Sequence, residues 1–281
     1  MVFGTIGLFV KNIPLSSGEI ALFRAVIATL SIAIYQFISG KKVKLPSRKK
    51  DAILLLLSGA AMGFNWIFLF EAYQYTSVSI ATLSYYFAPV MVMIVCPILF
   101  REKLTIKQMI CFIMSTIGLV LIIGVGGIET STTNLIGIGF GLCAAVLYAT
   151  VILLNKFIKE VEGVDRTLMQ FFSAIIVLVP YIYMTSGIHI GQIGGIGLLN
   201  LLIIGVVHTG IMYCLYFSSL KQLKGQEAAI LGYIDPLVAI IVSVSLLGES
   251  IDFTQIIGGT LILGFTLLNE MDIQIFKKKT S

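Results

Sequence analysis

Charge is scarce in this chain. Asp, Glu, Lys and Arg make up 12% of its 281 residues, against 58% hydrophobic residues and a mean hydropathy of +1.01. A soluble domain carries about a quarter charged residues, so this composition excludes one. Histidine occurs only at His189 and His208, nineteen positions apart, which leaves no His-rich metal cluster and no HExxH motif. The four cysteines, Cys96, Cys111, Cys143 and Cys214, all fall inside apolar runs without paired spacing. They read as small buried hydrophobes rather than disulfides or metal ligands. No Walker loop is present, so ATP could drive the protein only through a partner. Serine and threonine are scattered, with no nucleophile and base set, so no catalytic residue is assigned and no cofactor or metal is expected. The start lacks a basic n-region and a small-residue cleavage site, so a cleavable signal peptide is not expected.

What the chain has is length of apolar sequence. Several uninterrupted runs exceed eighteen residues, the signature of a polytopic helical membrane protein. The alternating polarity of outer-membrane barrel strands is missing. Ten helices are predicted, near residues 1–11, 18–39, 52–75, 77–100, 105–125, 134–155, 166–186, 196–220, 225–247 and 253–271. Short turns make consecutive helices antiparallel. Lysine and arginine then set the orientation. Of the 19, 17 lie in alternate loops and the C-terminal tail, including the run KKVKLPSRKK; Lys11 alone lies opposite, and Arg24 sits within helix two. By the positive-inside rule both termini are cytoplasmic, in a multi-pass protein of the plasma or inner membrane. The net charge of +5 therefore sits in loops and does not point to nucleic acid.

The sequence also repeats. A shift of 147 residues superposes Ala81 on Ala228, Tyr86 on Tyr233, Pro89 on Pro236, Glu102 on Glu249 and Gln108 on Gln255. Nine identities fall between positions 81 and 110. Each copy holds five helices, over 1–127 and 134–271. Five is odd, so the second copy is inverted relative to the first, a plan in which binding sites lie at the interface. The counterpart of helix six begins about thirteen residues before Met1, and the eleven residues of helix one span only about 17 Å. The first helix is thus expected to be truncated, or else short and half-inserted.

Thr105 with Gln108, and Asp252 with Gln255, have the spacing of capping boxes or a near variant. With Glu102 and Glu249 just before them, they are expected to start helices five and ten. Gly59-x3-Gly63 and Gly137-x3-Gly141 permit close helix contacts. Each half reads A-x4-Y-x2-P, an apolar run, then E-x5-Q. Helix two carries Phe23-Arg24, helix three FNWIFLFEAYQYTS and helix eight GVVHTGIMYCLYFSSLKQL. In these features the chain resembles the EamA family of the drug/metabolite transporter superfamily, over nearly its whole length. The resemblance implies a basket of ten helices in two repeats. Helices one, three, four, six, eight and nine would line a central cavity with alternating access, and helices five and ten would lie further out. It is nearly silent on substrate.

The intramembrane polar residues supply the candidate site. Asp235 lies nine steps from Gln226, about 14 Å along a helix, near the middle of a hydrocarbon core about 30 Å thick. Ionisable groups there face a cavity, a partner or a pathway. Arg24 and Glu71 agree in depth within about 5 Å, one helical turn, and are expected to form an ion pair, either structural or part of gating or binding. Asn65 and Trp66, mid-helix, align by the shift with Met212 and Tyr213; a cavity wall and plain core are both open. His208 either titrates or packs. Tyr86 and its counterpart Tyr233 stand three residues before Pro89 and Pro236, with Tyr85 alongside. The prolines either open the backbone to a ligand or fix a kink.

The function expected is a secondary active transporter for a small metabolite such as an amino acid or derivative. Asp235, Glu71 or His208 are candidates to carry a coupling proton. A membrane-embedded enzyme would need catalytic groups at one depth, and a receptor or assembly subunit a soluble domain or long loop. The partners expected are a small-molecule substrate and the lipid bilayer, without nucleic acid; a homodimer is left open.

Overall fold

The computed structural model describes residues 2–10, 12–40, 43–76, 81, 84–101, 104–123, 132–161, 163–220, 223, 231, 234–235, 238 and 253–270. A 3-10 turn, Val2–Thr5, leads into α1 (Ile6–Val10). Then come α2 (Ser17–Ile38), α3 (Lys49–Tyr75), α4 (Ala88–Phe100), α5 (Ile106–Ile123), α6 (Thr132–Phe157) and α7 (Gly163–Thr185). After a 3-10 turn at Ile190–Gln192 the chain forms α8, which is α-helical over Gly195–Ile203, π-helical over Ile204–Ile211 and α-helical again over Met212–Leu220. The last described helix is α9 (Phe253–Glu270). No strand occurs among the described residues.

Five helices, α2, α3, α6, α7 and α8, are long and apolar enough to cross a membrane, with shorter apolar helices at α4, α5 and α9. These helices fall where periodicity places them. The predicted span 225–247 lies almost wholly outside the described residues, as do Asp252 and the side chain of Gln255. Two predicted helices are not continuous. The chain turns at Tyr86–Phe87 before α4 begins, with Pro89 in its first turn, because a proline there lacks only a donor that needs no partner. Within α8 the hydrogen-bond period lengthens over eight residues.

α3 is the hub. In its apolar window 61% of residues are buried, against 33–44% in the other four spans, and it packs on α6, α7 and α2. Small residues set these distances. A Cβ on Gly59 would stand 2.3 Å from the Gln170 carbonyl oxygen, and one on Gly141 2.6 Å from Ser84 Cβ. α5 and α9 pack chiefly on each other. Outward faces carry bare apolar side chains, among them Phe37, Ile98, Met184 and Phe253 at 75–88% exposure, as suits contact with lipid rather than water.

Polar clamps tie both ends. On the side of the basic loops, the buried Asp51 carboxylate accepts from the backbone N–H of Lys159 (3.0 Å) and Glu160 (2.9 Å). Glu160 in turn accepts from the N–H of Ser47 and Arg48 and pairs with Arg48 Nε at 3.3 Å. Buried Arg166 donates to the carbonyls of Asn155, Ile158 and Val161 at 2.8–3.1 Å. Part of the basic count is therefore structural. At the opposite end Ser16 and Glu19 form a capping box that starts α2, and Glu19 also accepts from the His189 backbone N–H. The spacing S-x-x-E is visible in the sequence. Thr105 and Gln108 form the expected reciprocal box at α5.

The Gly59 contact yields a stability test. Gly59→Ala drives a methyl into backbone and is expected to cost about 1–3 kcal/mol. Gly139→Ala, which meets nothing within 4 Å, is expected to be neutral or mildly stabilising. Thermal unfolding of the two purified variants in detergent, beside the parent, checks the contrast.

Candidate functional site

A cavity of about 90 Å³ opens at the centre, where residues 3–7, α2, α3, α6, α8 and the turn before α4 converge. Six of the sequence candidates line it: Arg24, Asn65, Trp66, Tyr86, Tyr213 and Asp235. Glu71, His208 and Pro89 do not line it, and Tyr233 and Pro236 lie outside the described residues. The lining side chains that the sequence analysis did not single out include Phe3, Tyr73, Tyr148 and Tyr216, which complete an aromatic wall, and the aliphatic Ile6 and Leu69. One signal was available for Tyr216: it follows Tyr213 by three positions, on the same helical face.

Trp66 is the centre of the arrangement. Its indole N–H donates to the Tyr213 hydroxyl at 2.8 Å, and the two rings meet edge to face at 5.7 Å and 85°. The Arg24 guanidinium carbon lies 4.3 Å from the Trp66 ring centre and 5.5 Å from that of Phe70. Arg24 Nε donates to Thr209 Oγ1 at 2.9 Å. Asn65 donates from Nδ2 to the Ala144 carbonyl, tying α3 to α6 beside the cavity. Tyr85 stacks on Tyr148 at 5.2 Å, and the hydroxyls of Tyr148 and Tyr216 are 3.1 Å apart.

The expected Arg24–Glu71 ion pair is not formed. Depth is only one coordinate of a helix. Arg24 lies against Trp66 and Phe70, four apart and on one face of α3. Glu71, five residues past Trp66, lies about 140° around the axis and cannot reach the same cation. It is half-buried. His208 packs instead of facing the cavity. It is buried, its Nε2 stands 2.7 Å from Thr5 Oγ1, and Phe9 meets its ring edge-on at 5.2 Å.

At about 90 Å³ the cavity is smaller than pockets that hold small molecules, which run to about 300–1,000 Å³. Its walls are aromatic and its polar groups include one cation and one carboxylate residue. Among the described residues no cluster of metal-ligating side chains occurs.

The model of the EamA-like transporter family matches residues 1–124 and again 135–270. The chain is 34% identical over 260 residues to a Bacillus subtilis protein described as uncharacterized transporter YxxF, covering 92% of this chain and 82% of that one. It is 30% identical over 278 residues to an uncharacterized transporter of Archaeoglobus fulgidus, covering 95% and 92%. A crystal structure of a protein at 16% identity shares the fold, with a TM-score of 0.80 over 95% of this chain and 93% of the other. The chain is a multi-pass membrane protein of the transporter class. It belongs to the EamA-like transporter family, within the drug/metabolite transporter superfamily.

The separation of Arg24 from Glu71 is open to test. A charge-swapped double variant, Arg24→Glu with Glu71→Arg, is expected to be no more stable than Arg24→Glu alone. Thermal unfolding in detergent reads the comparison, and recovery by the second substitution would restore the ion pair.

Proposed function

We propose that this chain is a secondary active transporter of a small dipolar metabolite, an amino acid or a derivative of one. The observation that carries the reading is that Arg24 and Asp235, residues of opposite charge type, line one cavity whose wall is otherwise largely aromatic. A cation suits a substrate carboxylate, a carboxylate suits an ammonium, and tyrosine and tryptophan rings cover apolar parts while offering hydroxyl or N–H groups. Charged groups at this depth belong to pathways in many membrane proteins.

Two inverted five-helix repeats fit the contacts. Trp66 and Tyr213, 147 positions apart, are hydrogen-bonded to each other, and Leu69 and Tyr216, at the same separation, line the same cavity. Copies related by an axis in the membrane plane meet themselves only beside that axis. Alternating access fits the volume: a space of about 90 Å³ admits a metabolite only when helices part. The asymmetry of lysine and arginine supports both termini in the cytoplasm, with the protein in the plasma membrane. Asp235 is the first candidate for the proton carrier, ahead of Glu71 and His208, because it alone of the three lines the cavity.

The test uses the full chain in proteoliposomes. The panel comprises the common amino acids, N-acetyl forms that lack the ammonium, and amines that lack the carboxylate. Flux of at least one amino acid, reduced about tenfold or more by Arg24→Met, is expected. Asp235→Asn is expected to remove the pH dependence of that flux. Transport confined to compounds without a carboxylate would overturn the dipolar substrate, and unchanged pH dependence in Asp235→Asn would overturn its proton role.

A further inference from the structure

The π-helical segment of α8 presents Thr209 to Arg24. Several other hydroxyl side chains in the described helices bond back to the carbonyl four residues before: Thr29 to Ala25, Thr116 to Phe112, Thr150 to Val146, Ser218 to Cys214. Thr209 reaches five back, donating to the Ile204 carbonyl at 2.8 Å, as the wider turn requires. With its proton committed there, the Thr209 oxygen is left as an acceptor, and it takes the Arg24 Nε proton at 2.9 Å. Thr209 is fully buried and Arg24 is 2% exposed, so neither bond competes with bulk water. Gly205 brings the two helices together: a Cβ there would stand 2.6 Å from Ile27 on α2.

The guanidinium is held at several points. The Thr209 oxygen holds Nε from one side, the Trp66 ring lies 4.3 Å from the central carbon, and the Tyr213 hydroxyl takes a further hydrogen bond from it. Of the five N–H donors of the guanidinium, the four terminal ones are not used by the bond to Thr209.

We propose that Thr209 is a positioning residue for the transport site. Its hydroxyl, placed by the π-helical turn, holds Arg24 so that the fork of terminal N–H groups is presented to the carboxylate of a substrate in the central cavity. This rests on the proposed function of that cavity, but the geometry can be tested without any substrate. Trp66 is the single tryptophan of the chain, so indole emission of the whole protein reports the place of the Arg24 cation.

The experiment is a spectroscopic double-mutant cycle on the ligand-free full chain in detergent, with Thr209→Val, Thr209→Ser, Arg24→Met and the double variants. Thr209→Val keeps the shape and removes the acceptor. It is expected to move Trp66 emission in the direction that Arg24→Met does, while Thr209→Ser keeps the parental spectrum. In the Arg24→Met background, Thr209→Val is expected to add no shift. Thr209→Ala takes its place in the cycle if the valine variant does not yield folded protein. A parental spectrum in Thr209→Val, or a full-sized shift that persists without Arg24, overturns the proposal. In proteoliposomes, any panel amino acid whose flux depends on Arg24 should be carried about tenfold less effectively by Thr209→Val and near normally by Thr209→Ser. Absence of flux for the whole panel counts against the proposed function, while the emission cycle still decides the role of Thr209.

Discussion

A buried cation organises the centre of this protein. Arg24 lies within an apolar helix, 2% exposed, and its charge is costly anywhere in a hydrocarbon core. A neighbouring carboxylate is the expected remedy, but a fully paired guanidinium would be neutralised and used up. The structure spreads the remedy over groups that carry no net charge: the face of Trp66, the more distant face of Phe70, and the Thr209 oxygen. A cation over an indole gains about 2 kcal/mol when desolvated, and a hydrogen bond from a charged donor about 1.5–3 kcal/mol. Together these offset part of the desolvation cost without neutralising the charge.

The same interaction ties the layers together. Trp66 belongs to α3, the most buried span, and hands its own N–H to Tyr213 on α8. Thr209 belongs to the π-helical part of α8, and Arg24 to α2. Three helices thus converge on one guanidinium. Gly205 lets α2 and α8 come close enough, while Asn65 fastens α3 to α6 one residue before Trp66. The buried clamps of Asp51 and Arg166 at one end and Glu19 at the other involve no residue of the central cavity. At the centre, by contrast, Asn65, Trp66 and Tyr213 both tie helices together and line the cavity.

Much of this was legible from residue order. Apolar runs place the helices, the turn Thr105 to Gln108 caps α5 as its spacing implies, and glycine spacing marks the close crossings of Gly59 and Gly141. Of the residues singled out within the membrane by charge, polarity or the repeat, Arg24, Asn65, Trp66, Tyr86, Tyr213 and Asp235 line the cavity. What residue order did not convey was azimuth. Glu71 shares the depth of Arg24 but points about 140° away from Trp66. Nor did it convey the π segment, because residues 204–211 carry no proline and keep an apolar pattern compatible with an ordinary helix. That segment shifts the phase of α8 relative to the helix before it, so the direction in which Thr209 faces could be placed only in three dimensions. Tyr148 had a further obstacle: its partner under the 147-residue shift is Met1, so the repeat offered no clue to it.

The shift also separates what the halves share from what they do not. Pro89 and Pro236 correspond, as do Tyr86 and Tyr233, and Trp66 corresponds to the Tyr213 that it touches. The charged lining residues break the rule. Arg24 corresponds to Phe171, and Asp235 corresponds to Ala88. Phe171 packs its ring on both Trp66 and Tyr213, at 5.8 and 5.5 Å, so the position keeps its place beside the central aromatics while losing its charge. Each half therefore contributes one charged residue type to the cavity where its counterpart is apolar, a cationic residue from the first and an acidic one from the second. The lining is therefore asymmetric in charge at Arg24 and Asp235, within aromatic walls to which both halves contribute: Trp66, Tyr73 and Tyr86 from the first, Tyr148, Tyr213 and Tyr216 from the second.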